Sequence, residues 1–120
     1  MAKILAVDDS ASMRQMVAFT LKGAGHDVTE ACDGAEALKV AKNHSKFDLV
    51  ISDINMPNMD GIALIKELRS LPEFKFTPIL MLTTESGADK KSEGKAAGAT
   101  GWIVKPFNPD QLLATVGKVL

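Results

Sequence analysis

The sequence predicts an α/β domain, a five-stranded doubly wound parallel sheet flanked by five helices. Two observations carry that reading. Short apolar runs alternate with segments of helical apolar period from one end of the chain to the other. Reactive polar side chains close four of those runs: Asp8 and Asp9, Asp53, Thr83, and Lys105. In a parallel sheet such ends lie along one edge, where open α/β folds place their sites.

The elements follow in order. Residues 4–7 form an apolar first strand, and Met13, Met16, Val17, Leu21 and Ala24 recur at helical spacing until Gly23 and Gly25 stop that helix. Residues 28–31 are β-prone but charged, which suits an edge strand. Residues 35–41 read as a second helix, 49–52 as a central strand and 62–71 as a third helix. Residues 79–82 are fully apolar, as a mid-sheet strand requires. A fourth helix over 88–97 is weak, because Gly94 interrupts it and little of it is apolar. Residues 102–104 supply the fifth strand. Asn108 and Pro109 then provide an N-cap and an N1 proline for a last helix through Leu112, Leu113, Val116 and Val119.

Composition narrows the function classes. One domain over residues 1–120 is expected, long enough to bury roughly two-thirds of its unfolded surface. A formal net charge of −1 provides no global field for nucleic acid or anionic membrane, so neither is expected as a partner. The one cysteine, Cys32, excludes an intramolecular disulfide and suits a reducing compartment, as a small buried side chain or an inert thiol. A strand-like run beginning at Lys3 leaves no room for a signal peptide, and no stretch approaches a membrane span. A cytoplasmic domain that signals through its own surface is the expectation.

Several phosphate and metal motifs fail on spacing. Gly23 and Gly25 begin a dinucleotide fingerprint, but Val28 occupies its third glycine position and the stretch ends a helix. Gly94-Lys95 has Asp89 and Ala96 where a P-loop needs glycine and a hydroxyl. In the segment from Asp53, Pro57 breaks an EF-hand and Leu64 replaces its final glutamate. His26 and His44 have no paired ligand motif and read as solvated or capping residues. Met13, Met16 and Met81 read as core filling.

Asp8, Asp9 and Asp53 taken together are different. Three carboxylates at one edge raise each other's proton affinity unless a cation offsets them, and oxygen ligands in this number suit Mg²⁺. Lys105 is a compact charge able to meet an Asp53 oxygen or a phosphoryl oxygen, and Thr83 offers a hydroxyl donor. A carboxylate so surrounded is equipped for in-line attack on a phosphoryl group.

Four segments, in order, resemble the response-regulator receiver domain, and among receivers the stand-alone chemotaxis regulators. They are Val7-Asp8-Asp9-Ser10, the loop from Asp53 to Gly61, Leu82-Thr83-Thr84-Glu85, and the stretch from Gly98 to Phe107. The resemblance spans the chain and implies the flavodoxin-like strand order 2-1-3-4-5. It implies that a histidine kinase phosphorylates Asp53, and that Asp9, Asp53 and the Asn55 backbone carbonyl ligate Mg²⁺, with Asp8 acting through a bound water. Lys105 and Thr83 would contact phosphoryl oxygens, Thr83 would move toward the phosphate, and Trp102 would swing inward behind it. The bond before Pro106 would be cis, aiming the lysine inward. Asn55 and Glu85 could orient a water that hydrolyses the acyl phosphate. Chemotaxis members usually carry tyrosine where this chain has Trp102, which bears on the output partner.

That partner is expected on the face of the fourth helix, fifth strand and fifth helix, which Lys90, Lys91 and Lys95 make basic. A flagellar motor switch, a pilus motor or a phosphate sink without output all remain open, and a phosphatase could act on the same protein. The implied protein is a monomeric switch rather than an enzyme. A flavin binder of like topology would need a hydroxyl- and glycine-rich loop where Asp8, Asp9 and Ser10 stand. An aspartyl phosphatase would need a second acid and a cap over its substrate.

Overall fold

The computed structural model describes residues 2–43, 46–54, 56, 58–84, 88–105 and 107–120, with the backbone alone at Thr84 and residues 88–91. Its strands are β1 (Lys3–Val7), β2 (Asp27–Ala31), β3 (Leu49–Asp53), β4 (Ile79–Thr84) and β5 (Gly101–Lys105). The helices are α1 (Ala11–Gly23), α2 (Gly34–Asn43), α3 (Gly61–Arg69), α4 (Ala88–Ala97) and α5 (Pro109–Val119). All strand pairs are parallel, in the order β2-β1-β3-β4-β5. The predicted fold is the observed one.

Alternation along the strands divides the interior into two layers. Leu5, Val7, Val50, Ile79 and Met81 face Ala37, Ala41, Leu64, Ile65 and Leu68 of α2 and α3. Ile4, Ala6, Leu49, Ile51, Leu80, Leu82 and Ile103 face Val17 and Leu21 of α1 and Leu112 and Val116 of α5. Burial of each such leucine or isoleucine stabilises the fold by about 2 kcal/mol before entropy is charged. The charged strand β2 lies at an edge, with Asp27 and Glu30 exposed, as its sequence predicts.

The third helix stops two residues earlier than its apolar period suggests. Pro72 disfavours helical backbone at the residue before it, and Leu71 is extended at φ −89° and ψ 127°. A 3-10 turn over Pro72–Phe74 follows. The interruption of α4 by glycine also has a cause. Gly94 is buried against β4, and a β-carbon there would run into the Met81 thioether. Arg69 closes the region by donating to four carbonyls: Nε and Nη2 to Gly98, and Nη1 to Phe74, Thr77 and, at 3.3 Å, Lys75. His26 is half-buried, and its Nδ1 accepts from the Ala2 N–H at 3.2 Å. Met81 is buried, and Met13 packs against the α1/α5 layer. His44 lies outside the described residues.

Candidate functional site

Register brings the strand ends together. Val7 pairs with Ser52, Asp53 with Leu82, Thr83 with Val104 and Thr84 with Lys105. Asp8, Asp53, Thr83 and Lys105 therefore stand within one residue of a common row at the C-terminal edge of the sheet. Asp8, Asp53 and Thr83 are buried, at 1%, 8% and 4% exposure, and Asp9 is exposed.

Lys105 Nζ lies 3.3 Å from Asp8 Oδ2 and 3.3 Å from Asp53 Oδ1. The lysine thus bridges both buried acids; the sequence suggested an Asp53 oxygen or a phosphoryl oxygen as its partner, and Asp8 is the addition. The Ser10 N–H donates to Asp8 Oδ1 at 2.9 Å, and the Ile54 N–H to Asp53 Oδ1 at 2.9 Å. Burial pushes the Asp53 carboxyl above its ordinary range; the Asp8 charge adds to this, and Lys105 opposes it.

One carboxylate oxygen each from Asp8, Asp9 and Asp53 lies within 4.8 Å of the others. Three clustered acids, two of them paired with one ammonium, leave an excess of negative charge that a divalent cation would neutralise. An all-oxygen donor set with an exposed member fits a hard ion that keeps some of its waters. The acidic cluster can hold a metal.

The chain beyond Asp53 is tied sideways at Asn58. Asn58, at φ 68°, donates from Nδ2 to Asp33 Oδ2 at 2.8 Å. Gly34 lies so close to Met59 that a β-carbon would collide with it, and Gly61 is equally close to the Asp53 carbonyl. Arg14 also belongs to this neighbourhood and escaped the sequence reading. Its Nη1 donates to the Asp8 carbonyl at 2.8 Å while Nε meets Glu30 Oε1 at 3.2 Å. No motif announces either contact, because each joins residues on separate elements.

Trp102 stands on β5 at 38% exposure beside a groove of about 320 Å³ lined also by Val104, Phe107, Gln111 and Thr115. Lys95 is exposed on α4. Cys32 is exposed rather than packed; partial desolvation, then Glu36 and Asp33, push its thiol up, which leaves the inert thiol of the two expected states. The Asn55 carbonyl, Glu85, Pro106 and the side chains of Lys90 and Lys91 lie outside the described residues. Among the described residues, no helix is long and apolar enough to cross a membrane.

The fold and this edge define the class, and comparison with known proteins agrees. The sequence matches the response regulator receiver domain over residues 4–117, so the chain belongs to that family. It is 40% identical to the chemotaxis protein CheY homolog of Campylobacter jejuni over 119 residues, covering 98% of this chain and 92% of the relative. It is 42% identical to CheY-3 of Vibrio cholerae over 118 residues, covering 98% and 90%. The solved structure of the chemotaxis response regulator CheY4 of Vibrio cholerae is 59% identical, with a TM-score of 0.95 over 100% of this chain and 99% of that one. The likenesses support two-component signalling of the chemotaxis type.

Proposed function

We infer that this protein is a phosphorylation-dependent switch in which Asp53 accepts a phosphoryl group from a histidine kinase. The observation that carries the reading is the buried Asp53 carboxylate, held with Asp8 against one lysine and open toward Asp9. An Asp53 oxygen attacks phosphorus in line, the phosphorus–nitrogen bond of the donor histidine breaks, and the departing imidazole keeps the electron pair and takes up a proton. Asp8, Asp9 and Asp53 would hold Mg²⁺, with the Asn55 carbonyl in the role the family implies. When bound, the ion neutralises charge on the transferring oxygens.

Lys105 already faces Asp53 at 3.3 Å and turns its ammonium to a phosphoryl oxygen once the acyl phosphate forms. The Thr83 hydroxyl donates to another oxygen, and Trp102 follows it inward. The altered face of α4, β5 and α5 then binds an output protein, a flagellar motor switch being the partner that the chemotaxis relatives favour. The protein works in the cytoplasm as a monomer, chemically active on its own acyl phosphate alone, and a phosphatase can shorten the signal.

Incubation with acetyl phosphate and Mg²⁺ should add one phosphate by intact mass, and chelation should prevent it. Asp53→Asn should abolish the addition. Full labelling of the Asn variant would sink the assignment.

A further inference from the structure

Arg14 sits in the first turn of α1, where helical side chains lean back toward the N-terminus and over the residues preceding the helix. Its guanidinium makes two contacts of different kinds. Nη1 donates to the carbonyl of Asp8 at 2.8 Å, and Nε pairs with the Glu30 carboxylate at 3.2 Å on the edge strand β2. The Asp8 carbonyl belongs to the peptide that joins the two acids of the cluster. Its orientation therefore decides where the exposed Asp9 carboxylate points relative to Asp8 and Asp53.

The rest of this segment is also held. The Asp8 N–H donates to the Ala31 carbonyl at 3.2 Å, the Ser10 N–H to Asp8 Oδ1 at 2.9 Å, and the Arg14 N–H to the Ser10 carbonyl at 2.9 Å. Arg14 supplies the remaining tie, on the acceptor side of the Asp8–Asp9 peptide, and Glu30 fixes the guanidinium plane from β2. Arg14 and Glu30 side chains are 18% and 33% exposed, so the pair is partly shielded from solvent.

We propose that Arg14 is a positioning residue for cation binding: through the Asp8 carbonyl it holds the Asp8–Asp9 peptide in the orientation that converges three carboxylates on one ion, and Glu30 orients Arg14. The proposal rests on the cation site of the proposed function. A simple field effect has the opposite sign. Removing a positive charge beside a cation site should tighten binding, whereas loss of a positioning contact should loosen it. Lysine cannot replace arginine here, because a single ammonium lacks the planar fork that meets a carbonyl and a carboxylate together.

The test is calorimetric titration of Mg²⁺ into the full chain, on variants confirmed folded by circular dichroism. Arg14→Lys and Arg14→Met should each weaken affinity by about tenfold, as loss of an orienting partner of a ligand does. Glu30→Gln should weaken it less. The Arg14→Lys, Glu30→Gln double variant should bind no worse than Arg14→Lys alone, since both changes break one bridge. A lower melting temperature with wild-type affinity in the Arg14 variants would overturn the proposal, as would tighter binding by Arg14→Met. Asp9→Ala separates the two levels. If it loses affinity while Arg14→Lys does not, the positioning role alone fails; if it too binds as wild type, the cation site fails with it.

Discussion

Burial of the Asp53 carboxylate costs the fold stability when the group is charged. Its carboxyl is held above the ordinary value of 3.8, chiefly by burial and then by Asp8 against the opposing Lys105. The folded chain therefore binds that proton more tightly than the unfolded chain does. The contribution is fully present below the unfolded value and is lost as pH rises through the folded one. In metal-free buffer at pH 7, Asp53→Asn should consequently melt higher than wild type, and the gap should close as pH falls toward the ordinary aspartate range. Thermal unfolding from pH 4 to pH 7 checks this; an equal gap at every pH would contradict it. The two other charged partners divide differently. Asp9 is exposed, so Asp9→Ala should change stability little yet weaken Mg²⁺ binding sharply. Lys105→Ala leaves Asp8 and Asp53 facing each other without their shared ammonium, and should cost about 3 kcal/mol in metal-free urea unfolding. Its Mg²⁺ affinity should equal or exceed that of wild type, because a competing cation is gone. Equal loss of metal affinity in Asp9→Ala and Lys105→Ala would break this division.

Among the elements, those with local signals were legible. Asn108 and Pro109 announce the start of α5, and the observed cap is reciprocal. Asn108 Oδ1 accepts from the Gln111 N–H at 2.8 Å, and Gln111 Oε1 accepts from the Asn108 N–H at 2.9 Å. Asn108→Ala should cost about 1 kcal/mol in urea unfolding without altering phosphorylation, since the cap touches none of the acids. A loss of phosphorylation in that variant would tie the cap to the site. The strand ends were equally legible, because alternation and parallel pairing fix which residues share an edge. What stayed hidden depends on approach between distant segments. Gly61 looks like an ordinary loop glycine, and only the position of the Asp53 carbonyl shows that a β-carbon would collide there. Gly94 reads as a flaw in a weak helix until Met81 is seen against it. Arg69 carries no motif, although its guanidinium joins α3 to the loops before β4 and β5. The Arg14 bridge was invisible for the same reason: its partners lie just past the end of β1 and on β2.

At the scale of the whole molecule, the sheet itself connects the acids to the face proposed for output. Met81 pairs with Trp102 and Thr83 with Val104, and paired residues in parallel strands point to the same side. Met81, Thr83, Trp102 and Val104 therefore share the face against which Gly94 of α4 is packed. Thr83 is buried at the acidic edge, and Trp102, one step diagonally away on the edge strand, is exposed at 38%. A dianion placed on Asp53 attracts the Thr83 hydroxyl, and the space it vacates lies on the side of the sheet that the indole occupies. The exposed indole should then become more buried, changing the surface that an output protein meets. At saturating Mg²⁺, a phosphoryl analogue such as beryllofluoride should shift Trp102 fluorescence to the blue and reduce its quenching by iodide. Asp53→Asn and Thr83→Ala should each remove most of the response, because each breaks one link of the same chain. Trp102→Ala should still take up phosphate from acetyl phosphate at the wild-type rate while binding its output partner less well. Unchanged iodide accessibility on addition of the analogue would show that the indole is packing alone and that the signal leaves by another surface.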